Sequence, residues 1–275
     1  MRYPAVAGQF YEADPAALRR QVEGCYRHRL GPGDVPRLTL KGKREVQGLV
    51  CPHAGLVYSG PVAAHGYAAL AADGWPESVL VLGPNHTGAG AAEALATVDF
   101  QTPLGLARRD EALAKRLRRD LIEEDNVAHR KEHSLEVQLP FLLHLNPDLQ
   151  FAALCMGVQE FDAAEEVGKI VRDAIAGRDV LVIASTDFSH YLPKAEAARR
   201  DKLAIAEILK MDAASFYRAK VKHDVSMCGY GPVIALMTAL KGSRVELLKY
   251  ASSGDVAPMP DVVGYASMAV RGSPR

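Results

Sequence analysis

The chain is predicted to fold as a three-layer α/β/α protein with a mixed, largely parallel central sheet. Three observations predict it. Short apolar runs alternate with helical stretches along most of the 275 residues, the pattern of strands joined by crossover helices. The runs are almost continuously apolar, as strands covered on both faces are. Three of them lead straight into short polar segments, two of which are punctuated by Pro and Gly. Val46–Val50 precedes Cys51-Pro52-His53-Ala54-Gly55, Ser78–Leu82 precedes Gly83-Pro84-Asn85-His86-Thr87-Gly88, and Asp179–Ala184 precedes Ser185-Thr186-Asp187-Phe188-Ser189-His190.

Taken in order, Pro15–Arg29 reads as a helix and Leu30–Pro36, with two prolines and two glycines, as a loop. Val46–Cys51 is a strand ended by proline. Pro61–Ala72 is a helix rich in small residues, closed by Asp73-Gly74. Ser78–Leu82 is the next strand, and 91–100 is extended. Asp110–Glu123 has Leu113, Leu117 and Leu121 at i, i+4 and i+8, one face of an amphipathic helix. Ser134–Leu145 is a helix bent or broken at Pro140. Gln150–Met156 (strand), Phe161–Ala176 (helix), Val180–Ser185 (strand) and Lys194–Lys210 (long helix) continue the alternation. A helix over Pro232–Leu240 starts at a proline, which suits a first turn. Strands over Val245–Tyr250 and Val262–Val270 close the chain. A single domain over 1–275 is expected; strand order is not readable.

Bulk composition narrows the function. Lys+Arg and Asp+Glu both number 33, so no charge excess points to nucleic acid or to an anionic membrane surface. No apolar run reaches the length of a membrane span, and the first residues do not read as a secretory signal. Cys25, Cys51, Cys155 and Cys228 form no CxxC pair, so no disulfide framework is expected, and a cytoplasmic location fits. No phosphate-binding glycine motif and no G-x-S-x-G elbow occurs.

If the three motif-bearing runs are neighbouring parallel strands, His53, His86, Asp187 and His190 gather at the carboxyl edge of one sheet. Open α/β sheets bind their ligands there. Histidines and a carboxylate at that edge suit metal binding or acid/base work. For His53 the plain alternative is a loop histidine bonded to a carbonyl. Asp187 stands three residues before His190, where it can orient the ring; the alternative is an N-cap. His133 and Glu136 are spaced i, i+3, which a helix places on one face. Cys228 stands just before a helix, where the N-terminal field favours the thiolate; the alternative is a small buried hydrophobe. Cys25, Cys51 and Cys155 fall inside expected elements and read as buried.

The motifs together carry a resemblance. Arg2-Tyr3-Pro4-Ala5-Val6-Ala7-Gly8-Gln9-Phe10-Tyr11, Pro52-His53-Ala54-Gly55, Leu82-Gly83-Pro84-Asn85-His86, Glu132–Pro140, Ser185–His190 and Met227-Cys228-Gly229 resemble, in that order, the Memo family (mediator of ErbB2-driven cell motility). Its prokaryotic members are labelled AmmeMemoRadiSam system protein B. The family is similar in fold to class III, LigB-type extradiol dioxygenases, which are non-haem iron enzymes. The resemblance implies His53, His86 and Cys228 as metal ligands, with iron or copper expected and zinc as a further choice. It implies Asp187, His190 and His133 as catalytic groups of the same pocket. The dioxygenases hold their metal with two histidines and a carboxylate, whereas Cys228 stands in the third position here. A thiolate is softer and oxidisable, so ring cleavage does not carry over.

Two functions follow from the resemblance: a metal-dependent redox enzyme acting on a small molecule, and a binding module that kept the pocket and takes a peptide or partner protein. Animal relatives bind phosphotyrosine peptides, and the prokaryotic label implies radical SAM and AMMECR1-like partner proteins. A zinc-dependent hydrolase would use the same ligands with a metal-bound water.

Overall fold

The structure, a computed structural model, describes residues 1–119 and 121–273. Helix α1 (Pro15–Arg27) begins at Asp14, whose side chain accepts a hydrogen bond from the Ala17 N–H at 2.8 Å, with Pro15 in the first turn. Strand β1 (Val46–Cys51) and helix α2 (Leu56–Asp73) follow, then β2 (Ser78–Pro84) and the short strands β3 (Glu93–Leu95), β4 (Phe100–Thr102) and β5 (Gly105–Arg109). Helix α3 (Glu111–Leu117), β6 (Glu123–Glu124) and α4 (Leu139–Leu145) lead to β7 (Gln150–Met156). Next come α5 (Phe161–Ile175), β8 (Val180–Ser185), β9 (His190–Pro193), α6 (Lys194–Leu209), α7 (Ala213–Lys222) and α8 (Tyr230–Ala239). The chain closes with β10 (Arg244–Ser252), α9 (Ser253–Val256) and β11 (Asp261–Arg271).

The main sheet runs β10-β11-β1-β8-β2-β7-β3-β6. Its centre, β1-β8-β2-β7, is parallel. Antiparallel pairs flank it, with β11 on β1 and β10 on one side and β3 on β7 on the other. The expected α/β/α class with a mixed, largely parallel sheet is therefore what the chain forms. Alternation along each central strand divides the core in two. Leu80, Leu82, Val182 and Ala184 face the layer holding α3, α5 and α8. Val79, Val81, Leu181 and Ile183 face the layer holding α1, α2 and α4. Among the described residues no helix is long and apolar enough to cross a membrane.

Several elements differ from expectation. Helix α2 starts at Leu56, not Pro61, and carries Pro61 inside it. The carbonyl that Pro61 cannot serve belongs to Val57, a residue 62% exposed and so open to solvent. The helix expected over Asp110–Glu123 ends at Leu117. Glu123 and Glu124 instead pair with Ala94 and Leu95 as β6, so sheet pairing wins over helical spacing; Asp120 lies outside the described residues. The helix expected over Ser134–Leu145 is a 3-10 turn at Glu136–Gln138 followed by α4, with Pro140 in the first turn of α4. Helix α8 begins at Tyr230, two residues before Pro232, which still lies where helical N–H groups have no partner. Helix α7 and strand β9 carried no expectation.

Candidate metal centre

Because β1, β8 and β2 lie side by side and parallel, the segments that leave them share one edge of the sheet. Register makes the edge compact: Cys51 pairs with Ser185, and the Thr186 N–H donates to the Cys51 carbonyl at 2.8 Å. His53 then sits two residues past β1 and is 1% exposed.

A chain of hydrogen bonds fixes the His53 ring. Ser185 Oγ donates to the Ser134 carbonyl at 2.6 Å and accepts from Gln138 Nε2 at 2.7 Å. With its one proton so placed, it accepts from His53 Nδ1 at 2.9 Å. That leaves the unshared pair on His53 Nε2, which lies 3.2 Å from Cys228 Sγ. Burial first, and then the neighbouring His133 and His86, hold the His53 pKa well below the imidazole range, so the ring is neutral.

His86 follows β2. Its Nδ1 lies 2.9 Å from Glu132 Oε1, and its main-chain N–H donates to Glu132 Oε2 at 2.6 Å. The two rings stand edge to face, 5.2 Å between centroids.

Cys228 arrives from a different part of the chain. Its N–H donates to the Asp187 carbonyl at 3.3 Å, and the Asp187 N–H points to Sγ at 3.2 Å. Gln159 Nε2 donates to the Cys228 carbonyl, and the Gly229 N–H donates to Thr186 Oγ1. Glycine is required at 229: a Cβ there would lie 2.4 Å from the Ser185 carbonyl oxygen. Burial, and then the Asp187 carboxylate, push the Cys228 pKa up. Cys25, Cys51 and Cys155 are buried as expected, and burial pushes the thiols of Cys25 and Cys51 up to about 12.

The donor atoms of His53, His86 and Cys228 lie within 4.8 Å of one another. Metal bonds of about 2.0 Å to nitrogen and about 2.3 Å to sulfur at tetrahedral angles set donors roughly 3.3–3.5 Å apart, so the spread would close by at most about 1.5 Å, within reach of side-chain rotation. Two imidazoles and a thiol are a donor set for iron, copper or zinc. The residues therefore fit the group.

His133 joins them without being a helix partner of Glu136. Its ring stacks on His86 at 4.5 Å, stands 5.4 Å from His53, and meets Phe10 at 4.7 Å. Burial brings its pKa down to about 4. Glu136 belongs to a different network: its fully buried carboxylate takes hydrogen bonds from Arg2, Tyr11 and the main-chain N–H groups of Ala5 and Val6.

Asp187 and His190 lie at the same edge but not as a pair through a ring hydrogen bond. Asp187 Oδ1 accepts the His53 N–H at 2.9 Å and the Ala54 N–H at 3.3 Å, tying the end of β8 to the end of β1. The His190 ring is oriented by the Ser226 carbonyl, 2.8 Å from Nδ1. The expectation that Asp187 steers His190 is corrected on this point: the chain enters β9 after residue 189, so no helical turn faces one side chain to the other. Burial raises the Asp187 pKa against the hydrogen bonds from His53 and Ala54.

Glu132, Gln138 and Phe10 had no role assigned from sequence. Glu132 was visible only as a member of the Glu132–Pro140 motif, and no periodicity separates Gln138 or Phe10 from core residues.

The fold and the edge cluster define an α/β protein with a His–His–Cys cluster at the carboxyl end of parallel strands. A family model described as Memo-like protein matches residues 2–269. A MEMO1 family protein of Methanopyrus kandleri is 46% identical over 280 residues, spanning 98% of this chain and 99% of its own. One from Methanothermobacter thermautotrophicus is 43% identical over 277 residues, with coverage of 98% and 99%. A crystal structure of an uncharacterized protein from Escherichia coli K12 superposes with a TM-score of 0.59 at 14% identity, covering 81% of this chain and 99% of that one, a likeness of fold. The chain belongs to the Memo family.

Proposed function

We propose that this protein is a metal-dependent redox enzyme whose non-haem iron or copper is held by His53, His86 and Cys228. The observation that carries the reading is the convergence of two imidazoles and one thiol within 4.8 Å at the edge where such sheets bind ligands. Iron or copper, when bound, supplies redox chemistry toward oxygen. The protein's own groups do the rest. His53 stays neutral and aimed by Ser185. His133, neutral and stacked on His86, accepts a proton from a small substrate. His190, oriented by Ser226 at the same sheet edge, holds or returns one, and Asp187 staples the two strand ends.

The test is elemental analysis of protein purified anaerobically without chelator, followed by oxygen uptake with a panel of small reductants. Near-stoichiometric iron or copper is expected, lost in His53→Ala and His86→Ala while circular dichroism stays native. Full metal content in both variants ends the assignment. Hydrolysis of esters or amides without oxygen uptake would favour the zinc hydrolase.

A second reading, a partner-binding module that retains the pocket, draws on Tyr191. This residue is 78% exposed beside His190 and held at a φ of +55°, a conformation a tyrosine seldom adopts. Binding of a peptide, or of purified AMMECR1-like or radical SAM partners, that persists in His86→Ala and fails in Tyr191→Ala would support it.

A further inference from the structure

The Glu132 carboxylate gathers three main-chain N–H groups and one ring nitrogen of the site. Its side chain is 0% exposed. Oε1 lies 2.9 Å from His86 Nδ1 and accepts the main-chain N–H groups of His133 at 2.8 Å and Ser134 at 2.7 Å. Oε2 accepts the His86 main-chain N–H at 2.6 Å. The three main-chain groups can only donate. An ionised carboxylate only accepts, so it satisfies all of them and leaves His86 Nδ1 one option, to donate as well. An amide in the same place would turn its NH2 toward at least one N–H.

The consequence reaches the metal cluster. With the proton on Nδ1, the unshared pair of His86 is on Nε2, the atom left for a metal. The same hydrogen bond sets the rotation of the ring, and the three main-chain bonds, one from His86 and two from His133 and Ser134, lock the β2 exit to the segment that carries His133. We propose that Glu132 is a positioning residue: it fixes the tautomer and orientation of His86, and thereby sets the affinity of the His53–His86–Cys228 cluster for its metal ion. The affinity part of this inference rests on the metal reading above; the tautomer part does not.

A competing arrangement exists, since His86, Glu132 and His133 also bring donor atoms within 4.8 Å. Glu132 would then be a ligand itself. The four N–H groups it already serves speak against that role, and the experiment separates the two.

Cobalt(II) serves as the probe, because thiolate–cobalt bonds absorb in the near ultraviolet. Wild-type protein should bind it with that absorption. Glu132→Gln should bind about 10–100-fold more weakly with the absorption retained, and Cys228→Ser should lose it. Unchanged affinity in Glu132→Gln overturns the proposal. So does cobalt that survives Cys228→Ser and vanishes in Glu132→Gln, the signature of a carboxylate ligand. The second arm needs no metal. Nitrogen-15 spectra of the metal-free wild type near pH 9, where imidazoles are neutral, should show His86 protonated at Nδ1, and Glu132→Ala should move that proton toward Nε2. A wild-type His86 carrying its proton on Nε2 overturns the proposal even if the variant fails to fold. Failure of the wild type to take cobalt, with the Nδ1 proton observed, sinks the metal reading and leaves the orienting role standing.

Discussion

Glu136 and Arg2 are both buried, and the carboxylate also receives Tyr11 and two main-chain N–H groups of the first residues. Removing one member of such a set leaves a charge buried without its partner, which costs about 3–5 kcal/mol. Glu136→Ala is therefore expected to lower unfolding stability by that amount in urea titrations, while Tyr11→Phe costs only about 1 kcal/mol. Equal losses in the two would mean the carboxylate is not the hub. Gly229→Ala acts on the site by a different route. With 2.4 Å between the added Cβ and the Ser185 carbonyl, the segment carrying Cys228 must withdraw, so metal uptake should fall at least tenfold, read by competition with a chromophoric chelator. The motif residues were legible in the sequence; these roles were not. Glu136 was paired with His133 by helical spacing, yet its partners lie about 130 positions away, and no local pattern encodes that distance.

Strand β3 shows what an element can conceal. Glu93 lies in it fully buried, and its carboxylate has no side-chain partner among the described residues. Burial raises its pKa from the ordinary 4.5 to about 8. Between those values the native state keeps a proton that the unfolded chain has released. The contribution to stability is complete below about pH 4.5 and is lost as the pH climbs through about 8. Wild type should thus lose stability relative to Glu93→Gln across that window, by a few kcal/mol at most, measured as the difference in urea midpoints at each pH. A difference that stays constant with pH would show that Glu93 does not titrate in the fold. The longer elements were readable from apolar period and punctuation. Short ones such as β3 and β6 were not, because two or three residues carry no period, and pairing with β7 rather than propensity creates them.

On the scale of the whole molecule, the cluster joins segments after β1, after β2 and before α8. A ligand that binds only the folded arrangement stabilises all of it by mass action. At a free metal concentration a thousandfold above the dissociation constant, the gain is about 4 kcal/mol. For a chain of this size that corresponds to a rise in melting temperature of roughly 8–16 °C. Titrating iron(II) under anaerobic conditions should raise the melting temperature of wild type progressively and leave that of His53→Ala unchanged. A rise of the same size in both would place the ion elsewhere.

Composition, apolar runs and the residues that end them determined the α/β class, the long elements and the segments that carry the chemistry, since those features depend on neighbours a few positions apart. Only the tertiary structure decided that β1, β8 and β2 are adjacent, that Cys228 returns across the chain to His53, that Ser226 rather than Asp187 steers His190, and that Glu132 grips His86. Each of these is set by packing between segments distant in sequence, where what matters is which buried donor finds an acceptor, and local pattern does not record that.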